Sequence, residues 1–178
     1  MSKKFDEFVT MQQTAESAEK IDWNQQRVDW LRHLDDFYSV VDSALKPYLD
    51  QGKLEITYEV RKITEEYIGV YDAKFALVKV GKVTARINPI GTMLIGAKGR
   101  VDLIGPSGTA RFVLVDADST GPKITVRSWS EGQTPPPEVQ AKKVVNWAWK
   151  RTTMPPRISY LPFTEDSFRD SLVEVMNG

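Results

Sequence analysis

The sequence predicts an α+β fold: a curved antiparallel meander of seven or eight short strands, preceded by a long helix and followed by a second one. Three observations predict it. Residues 22–50 carry apolar side chains at helical spacing. Residues 54–129 alternate apolar and polar, broken by short clusters of Gly, Pro, Asp and Ser. Residues 164–178 return to helical spacing behind a capping signal.

Residues 1–21 have few apolar points, among them Phe5, Phe8 and Val9, and are expected to be weakly structured. Asp22 is placed to cap the long helix, with Gln25 three residues on as its capping-box partner. Trp30, Leu34, Phe37, Tyr38, Val41 and Leu45 then recur three and four apart and form one broad apolar stripe. Pro47 is expected to kink or end this helix near Ala44, because it lacks an N–H and crowds the preceding turn.

Leu54, Ile56, Tyr58 and Val60 alternate with Glu55, Thr57, Glu59 and Arg61, which is a strand with one face turned to the core. A polar turn is expected at Thr64-Glu65-Glu66. Tyr67–Val80 is one strand or two, with a bend at Asp72-Ala73. Gly81-Lys82 suits a type II′ turn, since glycine accepts the positive φ of the first position. Closing there pairs Val80 with Val83, Val78 with Ala85 and Ala76 with Ile87, all apolar. A one-residue slip would scatter them over both faces. Thr92–Ile95 and Arg100–Ile104 flank Gly96–Gly99, and Lys123–Trp129 reads as a last strand of the meander.

At Gly105-Pro106-Ser107-Gly108 a type I turn is expected. The preferred register sets Ile104 against Thr109, Leu103 against Ala110, Asp102 against Arg111 and Val101 against Phe112, matching apolar with apolar and charge with opposite charge. That register makes Val101, Leu103, Ala110, Phe112 and Leu114 one buried face.

Every connection is short, so neighbouring strands must be antiparallel. So many strands in succession should curl, into two layers or toward a barrel. The expected organisation is a single domain over residues 22–178, carrying a Pro-rich linker at 131–138. Val139–Lys150 reads as a short helix, with a strand as the alternative. Thr164 starts the last helix, with Glu165 and Asp166 at its positive end, and Phe163 against Phe168 forms a hydrophobic staple.

The chain has 24 basic and 24 acidic residues and no cysteine. Disulfides, thiolate metal sites and cysteine nucleophiles are therefore excluded. Residues 1–50 carry 6 basic and 10 acidic side chains, a net of −4; residues 51–100 carry 9 and 5, a net of +4. An acidic helix beside a basic sheet is best read as two complementary surfaces of one domain. A general nucleic-acid binder carries a basic excess, so no nucleic-acid partner is expected. No apolar run reaches membrane-spanning length, and acidic residues occupy the place of a signal-peptide core. The expectation is a soluble cytoplasmic chain.

Phe112-Val113-Leu114-Val115-Asp116-Ala117-Asp118-Ser119-Thr120, an apolar strand running into D-x-D-x-T, is similar to the first motif of haloacid-dehalogenase-like phosphatases. That resemblance implies Asp116 as nucleophile, Asp118 as general acid/base and Mg²⁺ as cofactor. The family continues into a helix on a parallel sheet, whereas Gly121-Pro122 and a further strand follow here. The alternative is that both aspartates belong to a hairpin turn. An EF-hand reading fails at its twelfth position, Arg127, and a phosphate loop fails at Ala97, where lysine is required. His33 is the only histidine. It lies at the edge of the apolar stripe, and no nucleophile-elbow serine accompanies it.

Lys142, Lys143, Trp147, Trp149, Lys150, Arg151, Arg157 and Tyr160 form the best binding candidate, since cations mixed with aromatic faces hold acidic or phosphorylated ligands. The competing assignment is that both tryptophans are core, covering an open end of the sheet. With no complete catalytic constellation, the leading expectation is a non-enzymatic binding or adaptor module for a protein or peptide partner, without cofactor or metal. The second is a carrier of a small apolar ligand between sheet and helix. The third is a Mg²⁺-dependent phosphatase-like enzyme using Asp116 and Asp118.

Overall fold

A computed structural model of the chain describes residues 6, 22–92, 94, 96–123 and 144–177. The expected weak segment at 1–21, apart from Asp6, the Pro-rich linker at 131–138, and Lys142 and Lys143 lie outside the described residues. So does the expected strand beyond Lys123.

The chain runs α1 (Trp23–Asp50), β1 (Glu55–Glu65), β2 (Gly69–Val80), β3 (Val83–Gly91), β4 (Gly99–Gly105), β5 (Gly108–Asp116), β6 (Trp147–Thr152), β7 (Tyr160–Pro162) and α2 (Glu165–Asn177). Among the described residues seven strands pair in sequence order, every pair antiparallel. The meander curves but does not close into a barrel: β1 and β7 are its two edges. Both helices pack on the inner face. No helix among the described residues is long and apolar enough to cross a membrane.

α1 starts as its cap demands, with the Gln25 amide donating to Asp22 Oδ1 at 3.0 Å. The Gln25 side chain turns to Asp29 instead of completing the box. Trp30, Leu34, Phe37, Tyr38, Val41 and Leu45 are buried along the expected stripe, joined by His33 and Ala44. Pro47 does not end the helix, which continues to Asp50. A carbonyl in the turn before it gains an outside partner, because Arg169 Nη1 of α2 donates to Ala44 O at 2.9 Å. α2 is capped reciprocally: Ser167 N donates to Thr164 Oγ1, and Thr164 N donates to Ser167 Oγ. The Phe163–Phe168 staple forms, with ring centroids 6.4 Å apart.

The hairpin at Gly81 has the expected register, Val80↔Val83, Val78↔Ala85 and Ala76↔Ile87. Gly81 takes φ +59° while Lys82 keeps a negative φ, as a type II′ turn requires. The β4–β5 register is likewise the one that matches apolar and charged partners, from Ile104↔Thr109 to Val101↔Phe112. Val101, Leu103, Ala110, Phe112 and Leu114 are buried, and Arg111 is exposed.

β2 is one strand, not two. Its buried residues change parity partway, from Tyr71 and Ala73 to Ala76 and Val78, although pairing with β1 is continuous. The coiled hairpin therefore turns opposite faces inward at its two ends. This overturns the expected inward face of Val60, which is 72% exposed at the changeover. It also carries Glu65 inward, so the turn falls at Glu66–Ile68 instead of Thr64–Glu66. Glu65 accepts from Tyr71 Oη at 2.5 Å and from both the amide and the hydroxyl of Thr92. Burial, then that hydrogen bond, raises the Tyr71 pKa. These bonds tie the β1–β2 tip to the end of β3.

Val139–Lys150 is not a helix where it is described. Residues 144–146 have no regular secondary structure and Trp147 enters β6. Tryptophan favours a pleated surface, and β5 would otherwise expose an unpaired edge to which β6 adds from Asp116↔Trp147 to Phe112↔Arg151.

The sheet also comes very close to α1. A methyl group on Gly99 would sit 2.2 Å from Trp30 Cζ3, and Trp30 is fully buried. Gly99→Ala is therefore expected to cost about 1–3 kcal/mol by overpacking. Urea denaturation of the variant should show a lowered midpoint with unchanged slope. An unshifted midpoint would mean that Trp30 has room to move.

Candidate binding groove

The predicted cluster of cations and aromatics does not form one patch: β6 sets Lys150 on the face opposite Trp147, Trp149 and Arg151, and Arg157 and Tyr160 lie beyond its end. Trp149 points into the core. Its Nε1 donates to His33 O at 2.7 Å, and its ring meets Phe37 at 5.1 Å. Trp147 is half-exposed, with Lys98 Nζ 5.0 Å above its ring and Lys98 also 3.7 Å from Asp29 of α1. Lys150 lies opposite Val113. Arg157 is exposed in the turn after β6, and its carbonyl accepts from Thr153 Oγ1. Arg151 and Tyr160 are the two that come together, as walls of a groove.

His33 is buried, with Asp36 3.6 Å from its Nδ1. Burial, then the charges of Arg32 and Lys98, lowers its pKa. Its setting is the underside of the helix, beside the indole of Trp149. Asp116 and Asp118 sit where β5 leaves the sheet. The Asp118 amide donates to Asp116 Oδ1 at 3.1 Å, and the Ser119 amide donates to Asp116 O. This is the turn alternative, an aspartate folded onto its own backbone. The chain leads from there to Thr120, whose carbonyl accepts from Tyr160 N.

Between sheet and α1 the space is occupied by Trp30, Phe37, Tyr38, Phe112 and Phe168, each under 2% exposed. A ligand-sized concavity lies elsewhere among the described residues. A groove of about 400 Å³ runs over the outer face of β5 and round its edge, against the turn that links β6 to β7. Thr109, Arg111 and Val113 form its floor on the outer face. Met154, Pro155, Ile158 and Leu161 supply an apolar wall.

The groove exists because β6 is shorter than β5. Pairing between them stops at Phe112↔Arg151, so β5 runs four residues further, Gly108–Arg111, with no described residue paired on that side. The direction of the main-chain groups can be followed along β5. Leu114 O accepts from Lys98 N on the β4 side, and Ala117 N donates to Asn146 O on the β6 side. Even-numbered residues of β5 thus turn their N–H and C=O to β4, and odd-numbered ones turn away. Thr109 and Arg111 accordingly direct main-chain donors and acceptors into the groove.

Three arginines line it, and they are not equivalent. Arg100 is held by Asp102 through Nε at 2.7 Å and Nη2 at 2.6 Å, which raises its pKa. Arg151 Nη2 donates to Glu174 of α2. Arg111 is exposed and, among the described residues, has no ion-pair partner. Nothing local in the sequence marks Gly108–Arg111 as special. The only signal is that β6 is too short to cover β5, and this is invisible while residues 139–150 read as a helix.

Comparison of the chain with protein-family models, with curated proteins and with solved structures finds no match.

Proposed function

We propose that this protein is a non-enzymatic cytoplasmic binding module that captures an extended acidic segment of a protein partner by adding it to the sheet beside β5. The carrying observation is the run Gly108–Arg111, which no described residue pairs on the side away from β4, inside a groove where Arg111 has no ion-pair partner among the described residues. An extended peptide laid there continues the line of β6, bonds to the main chain of Thr109 and Arg111, and meets an apolar wall at Met154 and Ile158. Main-chain bonds supply affinity for any extended segment. Arg111 selects for a carboxylate, and the apolar wall selects the side chains that alternate with it.

The test is selection from a random-peptide display library on the intact chain, followed by fluorescence anisotropy with the enriched peptide. Acidic, β-prone sequences are the expected enrichment. Thr109→Pro removes one outward N–H without touching the β4 ladder, and should weaken binding roughly tenfold, the worth of about one hydrogen bond. Arg111→Glu should abolish selection of acidic residues. Enrichment of basic or featureless peptides, or binding indifferent to both substitutions, would remove the groove from consideration.

A further inference from the structure

β1 is the opposite edge of the sheet, remote in order from the β5 groove and independent of it. β2 pairs with all eleven of its residues, Glu55–Glu65, on one side, and no described residue pairs on the other. A long free edge invites another strand, and folds commonly blunt one with proline, a bulge or brevity. β1 has no proline, and its pairing shows no register shift. At its centre Val60 is 72% exposed, between Glu59 and Arg61.

We infer that β1 is a self-association edge, pairing antiparallel with β1 of a second copy of this chain about a two-fold axis through Val60. The register follows from geometry. When a strand pairs with its own copy, residues set opposite must show side chains on the same face and main-chain groups in the same direction. Both properties alternate along the strand, so the two residue numbers must have the same parity, and the axis must pass through a residue. An axis at Glu59 sets glutamate on glutamate, and one at Arg61 sets arginine on arginine. An axis at Val60 sets valine on valine and places Glu59 of each copy against Arg61 of the other. It also lies midway along Glu55–Glu65, so the whole strand overlaps. Within one chain Glu59 and Arg61 already meet at 2.6 Å on the exposed edge, both half-exposed. The two pairs therefore merge into one alternating four-charge cluster flanking the valine contact. Favourable cross-strand pairs contribute about 0.2–1 kcal/mol each, and like charges reverse the sign.

Sedimentation velocity over a concentration series tests this on the intact chain. The wild type should dimerise. Glu59→Arg and Arg61→Glu should each weaken association roughly tenfold, since two attractive pairs become repulsive. An equimolar mixture of the two variants should recover the dimer, because the reversed charges then face each other. The chain has no cysteine, so Val60→Cys introduces the only thiol. Mild oxidation should link it to its own copy, as Cα atoms of opposite strand residues lie within disulfide range. Thr57→Cys, whose register partner is Ile63, should stay unlinked. A wild type that is monomeric throughout overturns the inference. So does a dimer indifferent to both charge reversals, or equal cross-linking at residues 57 and 60.

Discussion

Removal of residues 164–178 is expected to abolish cooperative folding. α2 contributes Phe168 (0% exposed), Leu172 (6%) and Val175 (1%) to the core. Burying side chains of this size is worth about 1.5–3 kcal/mol each, a large part of the roughly 5–15 kcal/mol that holds a domain folded. The deletion also strips partners from the rest of the chain. Ser107 N loses Val175 O, Ala44 O loses Arg169, and Arg151 loses Glu174. The truncated chain should show no sharp transition in urea, monitored by far-ultraviolet circular dichroism. Phe168→Ala alone should fold but unfold earlier. A truncated chain with the wild-type midpoint would mean that α2 is an undocked tail.

The predictable parts of this fold are those where one periodicity meets one buried face. The stripe of α1, the Gly81 hairpin and the β4–β5 register all fall in this class, because a slip would have moved apolar groups into water. The register at Asp102↔Arg111 was legible even though Asp102 proved buried, since Arg100 supplies its charge partner two residues along the same face. Three features were not legible, each for a physical reason. Val60 and Glu65 exchange roles because β1 and β2 coil, and a period of two cannot report where a face rotates. Pro47 stays inside the helix, and Arg169, 122 positions away, donates to Ala44 O in the turn before it, a long-range contact that local periodicity cannot report. β6 reads as a helix because Val144, Val145, Trp147 and Trp149 fit both spacings over so short a run. Only the unpaired flank of β5, distant in sequence, decides for the strand.

The same error hid the groove. Lys142–Tyr160 was singled out by composition, a signal that records which side chains are present but not which way they point. As a strand, β6 sends Trp149 to the core and leaves Arg151 where its pairing with β5 ends, beside Glu174 of α2. The binding surface thus depends on where a pairing stops, and neither β5 nor β6 carries that information alone.

Phe37→Ala is expected to be the most damaging single substitution, at about 3–5 kcal/mol. Phe37 is fully buried where α1 crosses the sheet, and its ring contacts four others. It stacks on Phe163 at 4.7 Å with planes 5° apart, and meets Phe112 edge-on at 5.4 Å and Trp149 at 5.1 Å. These partners come from β5, β6 and the entry to α2, so one ring joins both helices to the strands that frame the groove. Truncation to alanine removes the aromatic contacts and leaves a cavity that three separately anchored elements cannot collapse to fill. Urea denaturation should show a much lower midpoint with unchanged slope. Heating should show a Tm lowered by about 2–4 °C for each kcal/mol lost. Phe37→Leu, which keeps most of the volume, should recover over half of the loss. Val28→Ala, at an exposed position of α1, should stay within about 0.5 kcal/mol of the wild type. If Phe37→Ala cost no more than Val28→Ala, the aromatic cluster would not be the centre of the core, and the position of β6 beside β5, with the groove it leaves open, would lose its support.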